Sequence, residues 1–236
     1  MEVYNSLAQP ITESQAHEQG LRNFMLSVFN RMTGALVVSG VTAMITAAVF
    51  GAALKGSLLG LGFALIPIVF VLVFSFGVHR LSYTAAQVIF WLFAASMGLS
   101  LGSIFVTYTA TSIASTFFIS AATFATASIV GYTTHRDLTH MGTLFLVGLI
   151  GILIAGVVNI FLASSALAFA ISVIGVIVFV GLTAYDVQNL KNDYFTQGEV
   201  FGFDSPEKSA LYGALNLYLN FINIFQMLLS LLGDRE

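Results

Sequence analysis

The stretch ALAFAISVIGVIVFVGLTAYDVQNLK, residues 166–191, runs from Ala166 to Tyr185 without a charged side chain and then meets Asp186. An uncharged helix of about 20 residues crosses the ~30 Å of a bilayer's hydrocarbon. The stretch therefore reads as a membrane span that acquires one carboxylate just before it ends. Asp186 is the only acidic residue in the apolar spans of this chain. A charge at membrane depth costs several kcal/mol unless it is paired, protonated or hydrated, which makes Asp186 a functional-site candidate by default.

The composition places the rest of the chain in the same solvent. It is 58% hydrophobic and 8% charged, with a mean hydropathy of +0.94, more apolar surface than a water-soluble core can hide. Between Glu18 and Asp137 there is no acidic residue, and after Arg31 only Lys55, Arg80 and Arg136 are basic in that interval. A net charge of -3 argues nothing about nucleic acid. With no Cys, disulfides, thiol nucleophiles and thiolate metal sites are excluded. The first twenty residues hold Glu2, Pro10, Glu13 and Glu18 without a basic start and an apolar core, so a cleaved signal peptide is not expected.

Outward from the opening stretch, the expected organisation is all-α: a polar cytoplasmic tail over residues 1–20 and one transmembrane domain over 21–236. Leu21, Phe24, Met25, Val28, Phe29 and Met32 recur at helical spacing opposite Arg22, Asn23, Asn30 and Arg31, as in a helix lying on or leading into the membrane. Seven spans follow, at roughly 33–54, 57–78, 83–106, 112–133, 143–163, 166–188 and 209–232, which puts the termini on opposite sides. Basic residues are retained on the cytoplasmic side. With the N-terminus inside, Arg22, Arg31, Arg80, Arg136, Lys191 and Lys208 lie inside, and only Lys55 and Arg235 outside. The N-terminus is thus expected in the cytoplasm and the C-terminus outside. Ser205-Pro206-Glu207 looks like the cap and first turn of the last helix.

Small residues suggest how the helices approach, because bilayer helices associate by close packing. Gly56 to Gly60 and Gly98 to Gly102 have G-x-x-x-G spacing, read as packing within one chain in preference to dimerisation. Thr116, Ser120 and Thr123 share a face of the fourth span, bonding their own helix or a neighbour, with a solute path as the lesser reading. Pro67 interrupts the second span, where a kink is expected. No long repeat and no second domain are evident.

The expected topology brings the C-terminal ends of spans two and six to one side, so His79, Arg80 and Asp186 are candidates for one neighbourhood. The plainer alternative is that Asp186 sits in headgroup water and binds backbone or Arg80 structurally. In the last span Asn216, Asn220 and Asn223 fall at i, i+4 and i+7 and form one polar stripe. Each carboxamide has an acceptor and two N–H donors, so the stripe is expected to face the bundle interior or a hydrated cavity. Interhelical bonding and an ion path are both open readings of it.

Other signals carry less. His135-Arg136-Asp137-Leu138 copies the start of a kinase catalytic loop, but no Gly-rich nucleotide loop or D-F-G accompanies it. His135 and His140 are poorly spaced for one metal ion. An intramembrane aspartyl protease needs two carboxylates at depth, and a retinal protein needs a lysine in its last helix; both are lacking. Asp193, Glu199, Asp204 and Glu207 read as a solvated loop. No enzymatic activity is expected.

Two motifs carry a family resemblance. GLTAYDVQNLK (Gly181 to Lys191) and LYLNFINIF (Leu217 to Phe225) resemble the C-terminal signature of the Bax-inhibitor-one family, also called the transmembrane Bax-inhibitor-motif family, and especially its bacterial YccA-like members. The similarity extends through Ile104 to Thr109 and Gly131 to Leu138. It implies a seven-helix bundle with the last helix central, placed in a bacterial inner membrane. It also implies a calcium leak gated by pH through two aspartates, one each on helices six and seven, with a basic residue after helix two matched here by Arg80. Asp186 matches the first aspartate. The second position is Asn220.

That departure matters because two close carboxylates titrate as a coupled pair sharing one proton, which Asp186 and Asn220 cannot do. The loss of a charge also weakens attraction for a hard dication. The expectation is a calcium-permeable channel with Asp186, Asn220, Arg80, Asn216 and Asn223 along the pathway or gate, and with weakened or shifted pH gating. No cofactor and no fixed metal site are expected, only transient calcium near Asp186. The competing class is a non-transporting regulator of a membrane protease or another membrane complex.

Overall fold

A computed structural model describes residues 13–54, 57–77, 81–197, 200–203 and 205–235 of the chain. Among them the regular elements are helices: α1 Glu13–Leu54, α2 Leu58–Gly77, α3 Tyr83–Leu101, α4 Ile104–Thr107, α5 Ala110–Thr133, α6 Thr139–Leu162, α7 Ser165–Phe195 and α8 Pro206–Leu232. In lipid every backbone N–H and C=O needs an internal partner, which a helix supplies within itself. Six stretches are long and apolar enough to cross a bilayer: α1, α3 together with α4, α5, α6, α7 and α8; α2 adds a shorter apolar helix that contains Pro67.

Helix starts are written in hydroxyl residues. The side chains of Ser82, Thr109, Ser164 and Ser205 accept backbone N–H groups of Ala85, Ser112, Leu167 and Lys208 at the starts of α3, α5, α7 and α8. Each satisfies a donor that the first turn leaves without an intrahelical partner. Pro206 follows its cap at the first helical position, as the sequence led one to expect.

The surface helix expected over residues 21–32 and the first span are one element. α1 has 42 residues, roughly 63 Å of helix, about twice the hydrocarbon thickness. Its N-terminal part is covered by the end of α7: His17 stacks on Phe195, with ring centroids 5.6 Å apart, and Phe24 tilts onto Tyr194 at 5.5 Å. Leu21, Phe24, Met25, Val28 and Met32 are buried there. α7 accordingly continues to Phe195, beyond the expected end of its span.

α7 and α8 are antiparallel neighbours, with Ser172 bonded to Ser230 and Leu190 beside Gly213. α8 also packs on α1, α3 and α5, and half of its most apolar window is buried, more than in any other crossing helix. α6 is the least covered, packing on α7 alone among the principal helix contacts. At the junction of α1, α3 and α8 the buried Tyr218 hydroxyl lies 2.6 Å from Ser39 Oγ, which is 2.8 Å from the carbonyls of both Ala35 and Ala94. Ser39 has one proton to donate, so Tyr218 donates to Ser39 and Ser39 to one of the two carbonyls.

Gly98 and Gly102 pack inside the chain, as expected. A Cβ on Gly98 would stand 2.6 Å from the Ser39 carbonyl oxygen of α1, and one on Gly102 would stand 2.8 Å from the Thr46 side chain. Gly56 lies outside the described residues. Ser120 and Thr123 donate to the Thr116 and Ile119 carbonyls of their own helix, which is the local reading of that stripe.

Most of the described basic residues gather at one end of the bundle. Tyr132, Lys191, Glu18 and Arg22 surround one cleft; Arg136, Arg31 at Tyr83, and Lys208 at the start of α8 belong to the same end. At the other end Arg235 sits over Tyr108, and Asp234 accepts the Thr109 N–H through its backbone carbonyl. Lys55 and Arg80 lie outside the described residues.

Candidate functional site

Asp186 is carried by α7 four residues after Leu182, on the stretch that faces α8. The antiparallel pairing of α7 and α8 is close because small residues lie along it. A Cβ on Gly213 would reach 2.1 Å from Leu190, and one on Gly175 would reach 3.0 Å from the Met227 sulfur. Between these two close approaches, Asn220 Nδ2 donates to Asp186 Oδ2 at 2.7 Å. Asn220 is buried and Asp186 half-buried. A bond of this length from an amide to a carboxylate is in the charge-assisted range.

Of the five site residues, the structure joins Asp186 and Asn220 and leaves Asn216 and Asn223 out of that contact. Asn223 donates to the Leu219 carbonyl of its own helix at 2.8 Å, so its amide is used locally. Asn216 is half-buried and makes no side-chain hydrogen bond among the described residues. The three amides therefore form no continuous chain of hydrogen bonds. Arg80, with His79, lies outside the described residues.

Neither Asp186 nor Asn220 lines the groove between α5, α6 and α7 or the cavity walled by α1, α4, α5 and α8. α5 presses on the same segment of α7 from another side: a Cβ on Gly131 would stand 2.2 Å from the Ala184 carbonyl oxygen. α6 presses from a third, since a Cβ on Gly142 would stand 2.4 Å from the Tyr185 ring.

Two polar residues near the site escaped the sequence reading. Gln188, buried two residues beyond Asp186, spans the α5–α6 connection: its Nε2 donates to the Arg136 carbonyl at 2.8 Å and its Oε1 accepts the Leu138 N–H at 2.9 Å. Its signal was present as an amide at the end of a span, but the partner is a loop fifty residues away. Asp193, expected in a solvated loop, is buried at the end of α7, where Oδ1 accepts the Phe201 N–H at 2.9 Å. It ties down the turn that leads to α8, and this is a correction of the loop reading. The reason is that α7 runs on past its membrane span and carries Asp193 under the returning chain.

On the α5–α6 connection, Asp137 Oδ1 accepts both the hydroxyl and the N–H of Thr139, at 2.6 and 2.9 Å. The Thr139 hydroxyl first and its N–H second hold this carboxyl below its ordinary range.

Replacing Gln188 by Leu is expected to strip two hydrogen bonds from this connection at a cost of about 1–3 kcal/mol. Hydrogen–deuterium exchange of the peptide containing Leu138 is the measurement: faster exchange than wild type is expected, and unchanged exchange would show that Gln188 does not hold the loop.

Comparison with known proteins adds to this geometry. Residues 21–236 match the family model described as "Inhibitor of apoptosis-promoting Bax1". The chain is 42% identical over 220 residues to the inner membrane protein YbhL of Escherichia coli (strain K12), across 92% of this chain and 94% of that protein. It is 40% identical over 237 residues to the uncharacterized protein RP147 of Rickettsia prowazekii (strain Madrid E), across 99% and 98%. To a protein of Caulobacter vibrioides it is 41% identical over 230 residues, across 93% and 91%.

Proposed function

This chain is an integral membrane protein of the Bax-inhibitor-one family, and on that premise we propose that it is a calcium-permeable leak held closed by the contact between Asp186 and Asn220. In this reading α2 is the seventh crossing segment and α8 the central helix, because α8 packs on α1, α3, α5 and α7 and its most apolar window is the most buried of the crossing helices. The end of the bundle bearing Arg22, Arg31, Arg136, Lys191 and Lys208 faces the cytoplasm of a bacterial inner membrane, and Arg235 faces out.

The observation that carries the proposal is the 2.7 Å hydrogen bond across the α7–α8 interface. Such a bond joins the only acidic residue of the spans to the most buried helix, and separating the two helices there exposes a carboxylate and an amide oxygen. These are ligands that a hard dication accepts in place of water. Arg80 is the counter-charge of this reading, and Asn216 lies on the same helix face toward the cytoplasmic end.

The chemistry of the pair distinguishes it from two carboxylates. An amide donates through nitrogen to an ionised carboxylate and, turned over, accepts through oxygen from a protonated one. The latch thus survives either protonation state, and its response to pH is shallow.

Calcium flux into liposomes containing the purified full-length protein tests the proposal, with Asp186→Asn as the control. Flux above protein-free liposomes is expected, and Asp186→Asn is expected to lower it about tenfold, equivalent to ~1.4 kcal/mol from one carboxylate. Flux no greater than that of protein-free liposomes would overturn the leak and favour the regulator of a membrane complex.

A further inference from the structure

α5 and α6 both pack on α7 but scarcely on each other, and the space between them is a groove of about 840 Å³ on the side of the bundle. That lies within the roughly 300–1,000 Å³ of small-molecule sites. Its floor is Gly181 and Ala184 of α7, and exposed Ala122, Thr126 and Met141 mark its open rim. Thr123 and Thr126 also line it, but their hydroxyl protons go to the Ile119 and Ala122 carbonyls of α5, so neither offers a free donor, and most of the remaining wall is apolar. Such a trough at hydrocarbon depth accepts an alkyl chain.

Its far end is different. Arg136 lines the groove where α5 gives way to the loop before α6, and its guanidinium has no hydrogen-bond or ion-pair partner among the described residues. The neighbouring Asp137 carboxylate is directed to Thr139. The backbone that carries Arg136 is fixed on both sides, by the Thr134 hydroxyl accepting its N–H at 3.2 Å and by Gln188 donating to its carbonyl. An apolar trough that ends in one positioned cation has the polarity of an anionic amphiphile, and basic pockets between membrane helices bind acidic lipid headgroups.

We propose that the groove between α5, α6 and α7 is a binding site for an anionic phospholipid, with an acyl chain along Gly181 and Ala184 and the headgroup phosphate on Arg136. The lipid then lies against the segment of α7 that leads into Asp186. Its binding does not depend on whether the protein conducts calcium.

Native mass spectrometry of the full-length protein, delipidated in detergent and titrated with phosphatidylglycerol or phosphatidylcholine of identical acyl chains, tests the site. The wild type is expected to bind the anionic lipid about fivefold more tightly, the increment of one membrane-surface cation. Arg136→Gln is expected to abolish that preference, and Ala122→Trp, which fills the groove from its rim, to weaken binding of both lipids. Equal affinities in the wild type, or a preference that survives Arg136→Gln, would overturn the proposal. Arg136→Gln acting while Ala122→Trp has no effect would place the lipid outside the groove and overturn it as well.

Discussion

Asn220→Asp is expected to turn a shallow pH dependence of calcium flux into a steep one. Asn220 Nδ2 and Asp186 Oδ2 are 2.7 Å apart, so an aspartate at 220 places a second carboxylate within direct reach of the first. Two carboxylates at that separation share one proton and titrate as a unit. With the proton present they hold α7 to α8; with it gone, two like charges face each other and the interface is driven apart. The wild-type amide has no such state. Flux through Asn220→Asp is expected to approach a change of about tenfold per pH unit, the limit for one proton, while wild-type flux varies far less over the same range. The measurement is a liposome calcium-flux series across pH with both proteins at equal density and both lumenal buffers matched. A wild-type curve as steep as that of Asn220→Asp would sink the idea that the amide flattens the response.

Gly131→Ala is expected to destabilise the bundle more than any other single methyl added to a helix glycine of α5 or α6. The new Cβ would meet the Ala184 carbonyl oxygen at 2.2 Å and the Ala184 Cα at 2.9 Å. These are backbone atoms of a continuous helix, so no rotamer change relieves the clash and α5 must move away from α7. Overpacking of this kind costs about 1–3 kcal/mol, which at this chain length lowers a melting temperature by roughly 5 °C. Gly151→Ala on α6 is the matched control, because a Cβ there meets nothing within 4 Å. Thermal melts in detergent are expected to separate the two variants, and equal melting temperatures would mean that α5 and α7 are not in the close contact described. Because Ala184 is two residues before Asp186, a displaced α5 also alters the support of the gate helix, and calcium flux measured on the same preparations reports that effect.

Much of the fold was legible because a bilayer imposes a length and a composition on whatever crosses it. The apolar windows, the hydroxyl cap at Ser205, and the small pair Gly98 and Gly102 are local signals, and each has its counterpart in the structure. The extent of α1 and α7 was not legible. Beyond the hydrocarbon their sequences become polar, and helix continues there because Phe24 and His17 of one pack on Tyr194 and Phe195 of the other, a contact between segments far apart in the chain. Asp193 was misread for the same reason: its burial depends on where the turn at Phe201 returns.

The amide stripe shows the limit most directly. Periodicity places Asn216, Asn220 and Asn223 on one face of the last helix without telling them apart, and only the family resemblance singles out Asn220. Their surroundings divide them: Asn220 reaches a carboxylate on α7, Asn223 bonds its own backbone, and Asn216 has no partner among the described residues.

By itself the sequence determined the solvent, the all-helical class and the identity of the one intramembrane acid, because each follows from residue type and spacing along a single helix; the family entered as a resemblance of two motifs, which the comparisons bear out. Only the tertiary structure decided that Asp186 meets Asn220, that Gln188 holds the loop carrying Arg136, and that α5 and α6 part to leave a groove. Those outcomes depend on the distance between helices, which is set by where glycine lets two backbones touch and where a larger side chain keeps them apart.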